Sequence, residues 1–329
     1  MRIAPIAPRN GSAACKPPTI QKNAPKKDRV LYENCFFIAG PTASGKSALA
    51  LAVAEMTGAE IIGADAFQIY SGLEILTAAV SQADRNQIPH HLVGEISPAH
   101  SFDVGQYVSL ATERIRSIQN RNRPVVIVGG TGLYLRALTH GLADLPPADQ
   151  VLRAQLEQQS LEQLQQQLTG LDPTGIRWID LKNPRRVIRA IEVCLLTGKP
   201  FSSFREQWST PKAGVRGVTL RCPREELSAR INRRTEEMFA MGVIEEVRNL
   251  PRPGKTAAQV LGLAEIENHL QGGHSKAECI ASIQAATRNY AKRQVTWFAR
   301  DSVLSPLETS GIESIGVLAR EIAAQLTRA

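Results

Sequence analysis

The segment CFFIAGPTASGKS, Cys35 to Ser47, decides the fold. Its first five residues form an unbroken apolar run, as expected of a short strand buried on both faces. Its last eight, Gly40, Pro41, Thr42, Ala43, Ser44, Gly45, Lys46 and Ser47, fit the spacing G-x-x-x-x-G-K-[ST] in full. From Ser47 to Thr57 the residues Leu49, Ala50, Ala52, Val53, Ala54 and Met56 favour a helix, and Gly58 stands where a left-handed C-cap would end it. A strand, a glycine-bearing loop and a helix in that order let successive backbone N–H groups converge on phosphate oxygens at the positive end of the helix. Lys46 adds a full charge, and Ser47 offers a hydroxyl to a phosphate-bound Mg²⁺. These eight residues are the candidate phosphate cradle, and Mg²⁺ is the expected cofactor, with Ser47 as its protein ligand.

Working outward, Glu60 to Ala64 reads as a second strand and Val125 to Val128 as a third. A helix from about Val104 to Asn122 separates them, with Ser101 as its N-cap and Pro124 as the breaker. Strands alternating with helices imply an α/β fold, a P-loop NTPase-like parallel sheet flanked by helices, with function at the C-terminal ends of the strands. At about residue 143 the character changes. Pro146 and Pro147 introduce a Gln-rich stretch with Leu152, Leu156, Leu161, Leu164 and Leu168 at helical spacing, which reads as a helical insertion. Asn183 and Pro184 open another helix, closed by Gly198. Gly217 to Cys222 returns to strand character and is expected to rejoin the sheet. Helices near Arg224 to Leu250 and Lys276 to Arg300 follow, then an amphipathic segment from Ile312 to Leu326. The expected division is a flexible basic tail over 1–30, a first core part over 31–142, the helical insertion over 143–212, a second core part with nucleic-acid-binding helices over 213–300, and a C-terminal helical segment over 301–329.

With 43% hydrophobic and 21% charged residues among 329, the composition is that of a globular chain and excludes disorder throughout. The tail holds seven cations against Asp28 alone, so most of the net charge of +8 lies there, and the body must be searched for local basic faces. Five scattered cysteines, none in a CxxC pair, argue against a disulfide framework and a zinc ribbon. No apolar run approaches the length of a membrane span, and the tail lacks the apolar stretch of a secretory signal. A cytoplasmic monomer with no membrane partner is expected.

A phosphate cradle does not name a reaction. Nucleotide hydrolases usually carry an Asp at the end of a later apolar strand to hold the metal, but here Val125 to Val128 runs into Gly129, Gly130, Thr131 and Gly132. The nearest strand-end acid is Asp65, which from its position could be a metal holder or a base. His90 and His91, adjacent and so unable to face one metal together from a regular element, are assigned to packing and hydrogen bonding. Arg185, Arg186 and Arg189 place cations on the opening turns of a helix, suited to a phosphate backbone. Arg288 and Lys292, like Arg293 and Trp297, are one helical turn apart. That stripe suits RNA, and it is also what a solvated helix over a Trp-anchored core would show.

Four segments together resemble the tRNA dimethylallyltransferase family: GPTASGKS from Gly40, ADAFQIY from Ala64, VGGTGLYL from Val128 and TRNYAKRQVTWF from Thr287. Weaker agreement covers PHHL from Pro89, NPRRVIRAIEVCLLTGKP from Asn183, and residues 230–250. The resemblance implies transfer of a dimethylallyl group from dimethylallyl diphosphate, held in the cradle, to the N6 amine of an adenosine beside the anticodon. It gives Asp65 the part of general base, sets Thr131 facing the adenine, and puts Arg234 near the diphosphate. It implies contacts with the tRNA anticodon stem-loop from Asp65, Ala66, Phe67, Gln68, Thr131, Arg153, Asn183, Pro184, Arg185, Arg186, Val187, Arg288, Lys292, Arg293 and Gln294. The target base must leave its stack to react.

Departures from the resembled pattern are Ala66 for Ser, Leu76 for Gly, Ala79 for Lys, Val80 for Pro, and Leu263 and Ala264 for Tyr and a basic residue. They lie in segments the family uses at or near tRNA and imply weaker or altered tRNA preference. A P-loop kinase acting on a small molecule or nucleotide, and a diverged RNA-binding protein without catalysis, are the alternatives.

Overall fold

The computed structural model describes residues 31–208, 210–309 and 313–327, so the basic tail lies outside the described residues, as does Ile312. The chain runs β1 (Cys35–Ala39), α1 (Lys46–Thr57), β2 (Glu60–Gly63), α2 (Gln82–Gln87), β3 (His90–His91), α3 (Val104–Asn120), β4 (Val125–Gly129) and α4 (Gly132–His140). It continues through α5 (Gln150–Leu156), α6 (Leu161–Leu171), α7 (Pro184–Thr197), β5 (Gly217–Arg221), α8 (Arg224–Ala240), α9 (Val243–Arg248), α10 (Leu263–Leu270), α11 (Lys276–Ala299), β6 (Ser305–Glu308) and α12 (Glu313–Thr327). Short 3₁₀ turns fill some of the connections.

The six strands form one parallel sheet in the order β3-β2-β4-β1-β5-β6. Every residue of β1 is buried, and its side chains alternate between two cores. Cys35, Phe37 and Ala39 enter the larger one, shared with α3, α4, α9, α10 and α11. Phe36 and Ile38 enter the other, with α1 and α12. Burial on both faces is what makes the strand a continuous apolar run instead of an alternating one. β1 lies between β4 and β5, so the loop leaving its C-terminal end opens at the centre of the sheet.

The insertion is organised around Leu156, Leu164, Leu168, Val187, Ile188 and Ile191, an apolar cluster of its own. Gly242, at φ +95°, breaks the expected helix over 224–250 into α8 and α9. Such a left-handed residue ends one helix and lets the next start in a new direction. The N-cap of α3 is Asp103, not Ser101: its carboxylate accepts from Gln106 N while Gln106 returns a bond to the cap. The segment after residue 300 is more than a terminal helix, because β6 extends the sheet and α12 packs on α1. β6 escapes sequence reading since it is polar and contains Pro306, which only an edge strand tolerates.

Candidate active site

The cradle follows β1 directly. Gly45 caps α1 with φ +93°, a conformation a side chain would strain. Thr42 is fixed from two sides. Its backbone N–H donates to Gln294 Oε1 of α11 at 2.8 Å, and its hydroxyl accepts from Arg234 Nη2 of α8 at 2.7 Å. Lys46 Nζ donates back to Pro41 O at 2.5 Å. The Ser44 hydroxyl is buried without a protein hydrogen-bond partner. Burial pulls the Lys46 ammonium down to about 8, with Asp65 opposing and Arg234 adding to the fall. Burial also lowers Arg234, again against the pull of Asp65. Lys46, Arg230, Arg233 and Arg234 outnumber Asp65 and Glu237 around this cavity, and an excess of cations, two of them desolvated, is the electrostatic profile of a phosphate site.

Arg230, one turn before Arg234, donates to Ala43 O at 3.4 Å and pairs with Glu226 at 2.5 Å. Arg233 of the same helix lines the cradle cavity as well. Sequence reading isolated Arg234 alone; the signal for Arg230 was the i, i+4 spacing on a helix whose direction was unknown.

Asp65 stands just beyond β2, where its Oδ1 accepts from Phe67 N at 3.0 Å. Thr131 occupies the N-cap of α4, with its N–H on Ala64 O at 3.2 Å and its Oγ1 accepting from Ala66 N at 2.9 Å. The loops after β2 and β4 are thereby locked together, and the acid and the threonine share one wall. Gly130 permits the third contact: Gln294 Nε2 donates to its carbonyl at 2.8 Å, and a Cβ there would lie 2.4 Å from that nitrogen. Tyr290, four residues before Gln294, is within hydrogen-bonding reach of Thr131 and Gln294, and burial raises its phenol well above the ordinary value. It too was missed by the sequence reading.

Two cavities meet at Asp65. The larger, about 400 Å³, is the cradle, lined by Thr42, Lys46, Ser47, Arg234 and Asp65 among others. The smaller, about 60 Å³, shares Thr42, Asp65, Gln68 and Arg234 and is otherwise walled by a mixture of apolar side chains, among them Leu76, Met238 and Ile283, and the hydroxyl-bearing Thr77, Thr235, Thr287 and Tyr290. Phe67 and Gln68 border this junction, while Ala66 lines neither cavity; Phe67 packs against Tyr290 with ring centroids 6.0 Å apart.

The expected nucleic-acid contacts divide. Pro184, Arg185 and Arg186 are exposed on the first turn of α7, and the Asn183 side chain caps that turn by accepting from Arg186 N at 3.3 Å. Lys292 and Arg293 are exposed on α11, while Arg288 is half-buried and donates to Asn232 Oδ1 at 2.6 Å. Val187 is fully buried in the insertion core, and Gln294 is buried with its amide committed to Thr42 and Gly130, so in this conformation neither side chain is presented at the surface. Arg153 is engaged in a bidentate pair with the buried Glu192, both bonds at 2.9 Å, and Arg189 reaches the same carboxylate. His91 bonds to Glu60 at 2.8 Å and His90 to Ile88 O at 2.7 Å, in keeping with packing and hydrogen-bonding duties. Among the described residues no cluster of three metal-ligating side chains occurs, no helix is long and apolar enough to cross a membrane, and Cys35, Cys194, Cys222 and Cys279 are free.

Comparison with known proteins locates this arrangement. The family model described as IPP transferase matches residues 68–301, and one described as isopentenyl transferase matches residues 33–93. A protein of Akkermansia muciniphila named tRNA dimethylallyltransferase is 41% identical over 290 residues, covering 88% of this chain and 98% of its own. One of the same name from Geobacter metallireducens is 41% identical over 286 residues, covering 83% and 92%. The crystal structure of a tRNA isopentenylpyrophosphate transferase from Staphylococcus epidermidis superposes with a TM-score of 0.63 at 29% identity, covering 89% of this chain and 98% of that one. A eukaryotic dimethylallyltransferase solved acting on tRNA gives 0.77 at 25% identity, covering 89% and 78%.

Proposed function

This chain belongs to the IPP transferase family, and from that premise we propose that it transfers a dimethylallyl group from dimethylallyl diphosphate to the N6 amine of the adenosine beside the anticodon of tRNA, releasing diphosphate. The observation that carries the reading is the place of Asp65, where the cationic cradle meets a second chamber that offers apolar side chains such as Leu76, Met238 and Ile283. A prenyl diphosphate has the same division. With its diphosphate among the loop amides, Lys46 and Arg234, its hydrocarbon end extends into the chamber and its C1 lies near the carboxylate.

The N6 lone pair attacks C1, the C1–O bond breaks with its electron pair leaving on diphosphate, and the N6 proton passes to Asp65. Lys46, Arg234 and the loop N–H groups act where charge grows on the departing oxygen, so they bind the transition state more strongly than the ground state. General-base help of this kind is worth about a hundredfold to ten-thousandfold in rate. Thr131, tied through Ala66 to the loop that carries Asp65, contacts the adenine in this reading. The exposed Ser47 lines the cradle and its hydroxyl is a hard oxygen donor, which suits Mg²⁺ held jointly with substrate phosphates and leaves the Asp65 carboxylate free for the proton. Bound there, the ion would neutralise charge on the leaving diphosphate. The basic turns of α7 and α11 receive the anticodon stem-loop backbone, and the protein works as a cytoplasmic monomer.

Phosphoryl transfer finds no support: β4 ends on glycine and offers no carboxylate for a metal-bound nucleotide. Nucleoside analysis of bulk tRNA from cells lacking and then regaining the protein tests the proposal. Prenylated adenosine should vanish and return; an unchanged nucleoside profile contradicts it.

A further inference from the structure

We propose that Leu76 is the end wall of the second chamber and sets the length of the prenyl chain that the donor can carry. The inference rests on the donor reading above and adds a specificity determinant to it. The chamber's wall includes the apolar Phe67, Leu76, Met238, Val260 and Ile283, interrupted by Thr77, Thr235 and Thr287, and it shares Asp65, Thr42 and Arg234 with the cradle. A diphosphate ester anchored in the cradle can pass its hydrocarbon beyond Asp65 toward these side chains.

Behind Leu76 there is no room. The backbone of Gly262 packs so closely that a Cβ on it would lie 2.9 Å from Leu76 Cδ1 and 3.3 Å from Ile283 Cδ1. Leu76 itself is only 6% exposed. The segment that carries it is held at both ends. Glu246, half-buried on α9, accepts from Ile75 N at 2.7 Å and Leu76 N at 2.8 Å. Gln68 Nε2 donates to Thr77 O and Ala78 O, both at 3.1 Å. A wall pinned by four hydrogen bonds and backed by packed main chain does not retreat to admit extra carbons, so added methylenes meet overpacking. The reaction with a longer donor is otherwise the same: C1–O breaks, N6–C1 forms and the proton goes to Asp65.

The test compares dimethylallyl diphosphate with (E)-3-methyl-2-hexenyl diphosphate, a homologue two methylenes longer, in the wild type, Leu76→Ala and Leu76→Val. The readouts are kcat/KM for transfer to an anticodon stem-loop RNA and calorimetric binding of each donor. Pockets discriminate a single methylene by roughly 10- to 200-fold, so the wild type should prefer the shorter donor at least about tenfold. Leu76→Ala should shift the ratio toward the longer donor by about tenfold or more, and Leu76→Val by about threefold. A wild type that transfers the five-carbon group while both variants keep its donor ratio within about twofold overturns the proposal alone. Should Leu76→Ala not fold, the ratio in Leu76→Val decides. A wild type that neither binds nor transfers either donor overturns it together with the donor reading.

Discussion

In the cradle Thr42, Lys46 and Arg234 are each held by a second residue; on the first turn of α7 the cations stand in solvent. Thr42 is pinned by Gln294 and Arg234, and Gln294 in turn grips Gly130. Arg185 and Arg186 are exposed, Arg186 lying 3.7 Å from an equally exposed Asp180. The difference teaches what each region does. A preorganised, desolvated site concentrates its effect in few residues, whereas a solvated basic face spreads a phosphate attraction over many. Substitutions in the first should be expensive one at a time, and in the second cheap and additive.

The largest effect is expected at the acid. Asp65→Asn should lose at least about a hundredfold in single-turnover transfer while tRNA affinity stays within a few fold, as measured by rapid quench and filter binding. An unchanged rate would break the contrast at its strongest point. Next comes the buried clamp. Gln294→Ala leaves Thr42 N–H and Gly130 O without partners, each worth about 1–3 kcal/mol, so donor affinity by calorimetry should fall tenfold or more with the fold intact.

Arg153→Ala sharpens the boundary between the two regions. It removes a bidentate partner from the buried Glu192 and should lower stability by about 1–3 kcal/mol in urea unfolding, discounted for the partial exposure of the arginine. If the salt dependence of tRNA binding also drops by one unit, the guanidinium serves phosphate as well as Glu192. The pH dependence of donor binding tests the cradle's electrostatics. Lys46 titrates near 8 before the anion arrives, and a bound diphosphate favours its charged form. Donor dissociation constants should therefore be flat below pH 8 and rise by up to about tenfold per pH unit above it. Smallest of all, Arg185→Ala and Lys292→Ala should each reduce the salt slope of tRNA binding by about one unit without altering the single-turnover rate at saturation.

The cradle was legible because its requirement is local: glycines at fixed spacing between a strand and a helix. β1, β2 and β4 were legible for a related reason, since strands buried on both faces cannot hide their apolar character. β3, a two-residue pair of histidines, and β6, with its proline, carry no such signature and exist only because a neighbour offers an edge. Gln294 and Tyr290 could be seen as members of a motif but not as parts of the site, because their action depends on α11 crossing behind the loop after β1, a contact spanning 252 residues at Thr42. The same limit applied to Arg153, whose partner Glu192 lies on another helix. Spacing reveals what one element does alone, and tertiary placement decides which side chain faces a ligand and which faces the protein.

The central claim is that the cradle grips the diphosphate of an isoprenoid donor while Asp65 takes the proton from an adenine amine. It is tested most directly by mixing the protein with dimethylallyl diphosphate labelled in its prenyl group and an anticodon stem-loop RNA, alongside the same RNA with purine riboside, which lacks the amine, at the target position. The account predicts one label transferred and one diphosphate released per adenosine-containing RNA, and neither with the purine RNA. Equal label transfer to both RNAs, or no transfer to either, would contradict it.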